Sequence, residues 1–221
     1  IIQLKKNQMR ILILGGHGFI GCHTSDILKQ QGHTIGVVDC YHQYYTFPDK
    51  EYFPILQIRK DHANSDQTFV GKIEDESFMA TVFQEFKPTV VIHLATYPNA
   101  KMVARNVTDA TNNMVTATAI ILNLCVKSNV KRFVFASSSM AYGEFNGKIP
   151  NETVACNPNT LYGSYKHQGE RMCQIWNREY GLEYVIMRPS ALYGTRDMIT
   201  RVISQMTNSA TQRNQITVQG P

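Results

Sequence analysis

The run Arg10-Ile11-Leu12-Ile13-Leu14 leads directly into Gly15-Gly16-His17-Gly18-Phe19-Ile20-Gly21, and this junction restricts the fold more than any other stretch of the chain. The apolar run reads as a strand buried on both faces. The glycines let the chain turn sharply, allow backbone to approach a ligand with no Cβ in the way, and bring the next helix close to the strand. Helical spacing continues over residues 18–31, and the first turn of such a helix offers free N–H groups and a positive dipole end to an anion. Thr34-Ile35-Gly36-Val37-Val38 reads as a second strand closed by Asp39, where a carboxylate can accept hydrogen bonds from ribose hydroxyls. Strand, glycine turn, helix, strand and acid in this order point to a dinucleotide site. The acid would repel a 2′-phosphate, so NAD is expected in preference to NADP. His17, inside the loop, is read as an exposed passenger.

The same alternation continues downstream. Further strands are expected at residues 68–70, 89–94, 132–136 and 183–187, with helical spacing over 75–86, 104–128, 160–180 and 196–208. The predicted fold is α/β, a doubly wound parallel sheet (Rossmann fold) with helices on both faces. Residues 40–67 break the rhythm with Tyr41, Tyr44, Tyr45, Phe47, Tyr52 and Phe53 in a polar setting. This segment reads as a surface excursion with one short helix, or as a cover over a ligand or a subunit contact. A chain of 221 residues, 43% hydrophobic, can bury one sizeable core. No uncharged apolar run reaches the roughly 18 residues that span a bilayer, so a cytoplasmic protein without a membrane partner is expected. Cys22, Cys40, Cys125, Cys156 and Cys173 are scattered singly, which suggests neither a disulfide framework nor a metal site. The formal net charge is +5, but the basic residues are dispersed apart from Lys5-Lys6 and Lys131-Arg132, so nucleic acid is not an expected partner. Residues 1–8, ahead of Met9, read as an upstream segment.

Two tyrosines have a lysine four residues on. Pro98 biases Tyr97 away from helical conformation and separates it from Lys101. Tyr162 and Lys166 instead lie in a helical stretch, one above the other. An ammonium close to a phenol favours the phenolate, and lowering the pKa by about 3 units corresponds to roughly 4 kcal/mol. Lys166 can also bond a ribose. Upstream, the strand at 132–136 delivers Ser137-Ser138-Ser139 to the carboxyl end of the sheet, where α/β folds bind ligands. A hydroxyl there can hold a substrate oxygen; the ordinary use of such serines is a turn or a helix cap. His93, at the end of an apolar strand, reads as a satisfied core or crevice-edge residue.

Taken together, these residues resemble the extended short-chain dehydrogenase/reductase superfamily, in its NAD-dependent epimerase/dehydratase branch acting on nucleotide sugars. The resemblance runs from Met9 to the C-terminus. The glycine motif falls on Gly15, Gly18 and Gly21, with Phe19 and Ile20 between them, and the Y-x-x-x-K pair on Tyr162 and Lys166. The family's catalytic Ser or Thr, four residues before a Tyr-Gly pair, falls on Ser138, with Ser139 as runner-up. The resemblance implies a catalytic set of Ser138, Tyr162 and Lys166. It implies NAD contacts from Asp39, Ile73, Leu94, Ala95, Asn113 and Pro189 as well as the glycine loop, Tyr162 and Lys166. It places Ser138, Ser139, Tyr162 and Ser190 against a nucleotide-sugar substrate, and it implies a homodimer through the helices at 104–128 and 160–180. Residues 9–195 then form the NAD-binding domain and 196–221 begin a substrate-binding lobe that is largely missing. Two positions depart from the pattern: Lys72 stands where an acid commonly contacts adenine, and Ala191 where many members have an asparagine. The dehydratases follow the catalytic residue with an Asp-Glu pair to eliminate water. Ser139 and Met140 stand there, which favours an epimerase over a dehydratase; C4 is the expected carbon with C2 as the alternative, and a one-way reductase or decarboxylase stays open. A non-catalytic NAD(H) sensor is the other class; retention of Ser138, Tyr162 and Lys166 speaks against it.

Overall fold

The computed structural model describes residues 8–45, 47–145, 147, 149–198 and 202–212. Six parallel strands form one sheet in the order β3-β2-β1-β4-β5-β6. They are β1 (Arg10–Leu14), β2 (Thr34–Asp39), β3 (Gln67–Val70), β4 (Val90–His93), β5 (Arg132–Ala136) and β6 (Glu183–Met187). The helices between them are α1 (Phe19–Gln30), α2 (Asp49–Ala63), α3 (Glu76–Phe86), α4 (Ala100–Arg105), α5 (Val107–Thr111), α6 (Ala117–Lys127) and α7 (Leu161–Tyr180), with α8 (Val202–Thr211) after the sheet. This is the expected doubly wound sheet. The order reverses between β1 and β4, and such a switch point opens a crevice at the carboxyl ends of the strands.

Side-chain alternation on the strands builds two cores. Ile11, Ile13, Ile35 and Val37 pack on one face with Leu28. Leu12, Leu14 and Val91 turn the other way and meet Phe83, Phe86, Ile121, Leu122, Phe133 and Cys173. Each large apolar side chain so buried contributes about 1.5–3 kcal/mol. The helix starts reflect local chemistry: Asp75 accepts from Phe78 N at 2.9 Å and Thr160 from Gly163 N at 3.1 Å, each occupying one otherwise free amide.

Three expectations are corrected. The stretch expected as one helix over 104–128 begins at Ala100, breaks at Asn106 and contains a π-helical segment, Asn112–Thr116. Periodicity does not register these changes, because the apolar stripe resumes in phase with the core on either side. Second, residues 196–198 are not helical; Asp197 N bonds Gly194 O at 3.3 Å in a turn and Arg196 has φ 72°, while 199–201 lie outside the described residues. Third, residues 40–67 hold more than a short helix. The 15-residue α2 packs along α1, with the buried Ser25 hydroxyl donating to Ala63 O at 2.5 Å. Pro54 inside α2 conceals it from a sequence reading.

Candidate active site

The crevice at the switch point is built first by the glycine turn. Gly15 has φ 79°, and a Cβ there would stand 2.8 Å from Ala95 N. A Cβ on Gly21 would lie 2.2 Å from Gly15 O. Only glycine allows β1, the turn and α1 to close this tightly, and the closure aims the first amides of α1 into the crevice. A Cβ on Gly18, by contrast, meets only Gly15 O within 4 Å, at 3.1 Å, among the atoms around it.

At the end of β2 the Asp39 carboxylate is fixed by two backbone amides, His17 N to Oδ2 at 3.0 Å and Tyr41 N to Oδ1 at 2.9 Å. Each oxygen keeps acceptor capacity for a further hydroxyl. His17 is not exposed as expected: it is buried, and its ring stacks on Tyr41 with centroids 5.8 Å apart. Burial lowers its pKa, opposed by the nearby Asp39 charge. The neighbouring aromatic segment borders the crevice. Tyr44 packs on Tyr97 at 4.6 Å between centroids, and Asn99 Nδ2 donates to Tyr45 OH at 2.5 Å. Residues 41–45 and Phe47 line the crevice.

The other wall comes from β4, β5 and α7. Tyr162 and Lys166 project from the first turns of α7, both buried. Lys166 Nζ donates to Ala136 O at 2.7 Å and lies 5.8 Å from the centre of the Tyr162 ring. Its burial pushes the amine down to about 7, so the unliganded protein does not carry a permanent ammonium here. Ser138 precedes a 3-10 turn, Ser139–Ala141, and its hydroxyl accepts from Met140 N at 3.2 Å. It is therefore both the turn cap and a crevice residue.

One crevice is lined by Gly15, Gly18, Phe19, Ile20, Gly21, Asp39, Ile73, Leu94, Ala95, Asn113, Ser138, Tyr162, Lys166, Pro189 and Ser190, all singled out from the sequence. Ser139 is not brought to it; its amide bonds Pro189 O at 3.0 Å as the 3-10 turn begins. The π-helical segment turns Asn113 inward, where Nδ2 donates to Glu74 Oε1 at 3.2 Å and Oδ1 is buried without a partner. Thr96 Oγ1, also lining the crevice, is buried and unpartnered. Two such atoms beside a glycine cradle suit a large polar ligand with its own donors. His93 is buried, as expected of a core residue, but only Nε2 has a partner, Thr118 Oγ1 at 3.2 Å; Nδ1 has none. Burial, aided by the Lys166 charge, lowers its pKa to about 3, so the ring stays neutral. Sequence reasoning passed over Glu74 and Glu170, since a lone acid carries no motif.

A doubly wound sheet with a glycine turn at its switch point and a Tyr–Lys pair opposite defines a Rossmann-fold protein of the short-chain dehydrogenase/reductase type. Residues 11–221 match the model of the NAD dependent epimerase/dehydratase family, and the chain belongs to that family. It is 32% identical over 187 residues to a UDP-glucose 4-epimerase of Halalkalibacterium halodurans, an alignment covering 81% of this chain and 50% of the relative. The crystal structure of UDP-glucose 4-epimerase from Thermotoga maritima with UDP-glucose superposes with a TM-score of 0.78 at 29% identity, covering 95% of this chain and 65% of that one. UDP-glucose 4-epimerase from Brucella ovis in complex with NAD gives 0.71 at 25% identity, covering 92% and 61%. The chain thus spans between half and two thirds of the length of these relatives.

Proposed function

We propose that the complete protein containing this chain epimerises a nucleotide-diphosphate sugar at C4, using NAD and a transient keto intermediate. The observation that carries this reading is the placement of Tyr162, Lys166 and Ser138 on one wall of the crevice whose opposite wall is the glycine turn. Family membership and the names of the relatives support it; so do the residues after Ser138, because neither Ser139 nor Met140 supplies the acid that elimination of water needs.

The Gly15–Gly21 turn and the start of α1 hold the pyrophosphate in this reading, Asp39 the adenosine ribose, and Ile73, Leu94, Ala95, Asn113 and Pro189 flank the remainder of the cofactor. When bound, NAD supplies the acceptor and later the donor of a hydride at the sugar carbon. Tyr162 removes the proton of the hydroxyl on that carbon and returns it afterwards. Protonation of Lys166 places a positive charge beside Tyr162, favouring its phenolate; the same amine can turn from Ala136 O to a ribose hydroxyl. Ser138 holds the sugar oxygen, and Ser190 stands on the adjoining wall. A homodimer through the helical regions 104–128 and 160–180 and a cytoplasmic location belong to the same reading. Among the described residues no helix is long and apolar enough to cross a membrane, and all five cysteines are free.

The test is to incubate the complete enzyme and its Tyr162→Phe variant with UDP-glucose and UDP-glucuronate and follow the C4 epimer by NMR. Inversion by the wild type alone is expected. Release of a dehydrated sugar, or no turnover of any nucleotide sugar despite NAD binding, would refute the assignment.

A further inference from the structure

Glu170 lies on α7 one turn beyond Lys166 and two beyond Tyr162, on the same face, and is only 1% exposed. Its Oε1 accepts from the Ser137 hydroxyl and, at 2.8 Å, from Arg188 Nε, while Oε2 accepts from Arg188 Nη2 at 2.6 Å. Burial opposes ionisation of this carboxyl, and the guanidinium and hydroxyl more than offset it, holding its pKa below the ordinary value. Arg188 in turn lies 4.6 Å over the Tyr142 ring. Main-chain bonds complete the tie, with Ser137 N to Met187 O at 2.8 Å and Ser139 N to Pro189 O at 3.0 Å.

One buried carboxylate therefore ties its own helix to two other segments. Ser137 precedes Ser138, Arg188 precedes Pro189 and Ser190, and Glu170 shares its helix with Tyr162 and Lys166. A buried ion pair is close to break-even for stability against apolar side chains of the same volume, so packing alone gives little reason for it here. What it adds is direction: a bidentate fork and one hydroxyl fix the helix, the β5 end and the β6 end in one register. Cys156, His167 and Glu170 offer potential metal ligands within 4.8 Å of one another. A cation there would meet the Arg188 guanidinium already paired with both Glu170 oxygens, which argues against that use of the cluster.

We propose that Glu170 is a positioning residue for the reaction, holding the Ser138 turn and the Pro189-Ser190 wall against Tyr162 and Lys166 through Ser137 and Arg188. This deepens the epimerase reading and rests on it for its kinetic consequence, but its structural consequence is readable without turnover. The decisive variant is the double substitution Glu170→Leu/Arg188→Met, which replaces the pair by apolar side chains, with Ser137→Ala and Glu170→Gln as separate controls.

Hydrogen exchange and melting are measured on this chain, turnover on the complete enzyme. With melting restored to the wild-type temperature, the double variant is expected to exchange the Ser137 and Ser139 amides about tenfold faster or more, with Phe133 and Phe135 unchanged. Its kcat is expected to fall about a hundredfold at unchanged KM, the cost of a misplacement on the order of 1 Å. Wild-type exchange at Ser137 and Ser139 in a variant that melts normally would overturn the proposal, whatever its activity. Should the double variant not fold, Ser137→Ala and Glu170→Gln carry the same exchange test, and wild-type protection in both would overturn it equally. A wild-type enzyme that turns over no nucleotide sugar would refute the epimerase reading alone, because the exchange result does not depend on substrate.

Discussion

Lys166 offers the sharpest quantitative test of the site's electrostatics. In the unfolded chain its amine binds a proton up to the ordinary value of 10.5, whereas in the fold burial brings the value to about 7. Between these values the unfolded state holds more protons than the folded one, so stability must rise as pH rises from about 7 towards 10.5. Charging or emptying the buried amine costs the fold about 4 kcal/mol at pH 7 and about 2 kcal/mol at pH 9, a gain of about 2 kcal/mol between them. For a chain of this size that equals a shift in melting temperature of about 4 to 8 °C. Lys166→Met keeps the length of the side chain and removes the proton; it also forfeits the 2.7 Å bond to Ala136 O, but equally at every pH. The assay is urea unfolding of the cofactor-free chain at pH 7, 8 and 9, followed by the single tryptophan, Trp176. Subtracting the variant's pH dependence from the wild type's isolates Lys166. A difference that stays flat across this range would show that the amine titrates normally, and that the Tyr–Lys wall is not desolvated.

The same geometry sets three other outcomes. Tyr162→Phe should lower epimerase turnover of the complete enzyme by about 10² to 10⁴ while leaving NAD affinity near wild type, as judged by steady-state kinetics beside calorimetry. Asp39→Asn turns an amide donor towards the His17 or Tyr41 N–H, so NAD affinity should drop about tenfold to a hundredfold and the discrimination against NADP should narrow in a calorimetric titration. His93 binds a proton below its ordinary 6.5 only when unfolded, since its folded value is about 3. It should cost the protein about 1.4 kcal/mol per pH unit between those limits, and His93→Gln should flatten that acid limb in denaturant titrations at pH 4 to 6.

The sheet was readable because its strands are short apolar runs between helical stretches, and because the glycine turn sets the path of the chain out of β1. Asp39 was legible by position alone: an acid at the end of the second strand has one place to stand relative to the glycine turn. The features that escaped the sequence depend on contacts between distant residues. The resemblance placed Asn113 at the crevice, but the π-helical winding that turns it inward did not show, because nothing in Asn112-Asn113-Met114-Val115-Thr116 distinguishes it from an ordinary turn. His17 is buried because Tyr41, from beyond β2, stacks on it. Helix α2 was underestimated because Pro54 looks like an end rather than a tolerated interior residue, and the Tyr44–Tyr97 contact joins segments that share no motif. Glu170 draws its partners from β5 and β6, so its importance appears only when the three segments are seen together.

Every step of the proposed chemistry depends on the glycine turn and Asp39 acting together as the NAD site. Calorimetric titration of this chain with NAD and with NADP, beside Gly18→Val, tests that dependence without any substrate. A Cβ at Gly18 asks only a few tenths of an ångström of Gly15 O, so the variant should fold while its larger side chain blocks the approach of a pyrophosphate. NAD should bind in preference to NADP, and binding should be lost in a Gly18→Val protein of near wild-type melting temperature. Undiminished NAD binding by that variant, or no binding of NAD by the folded wild type, would contradict the assignment of the site.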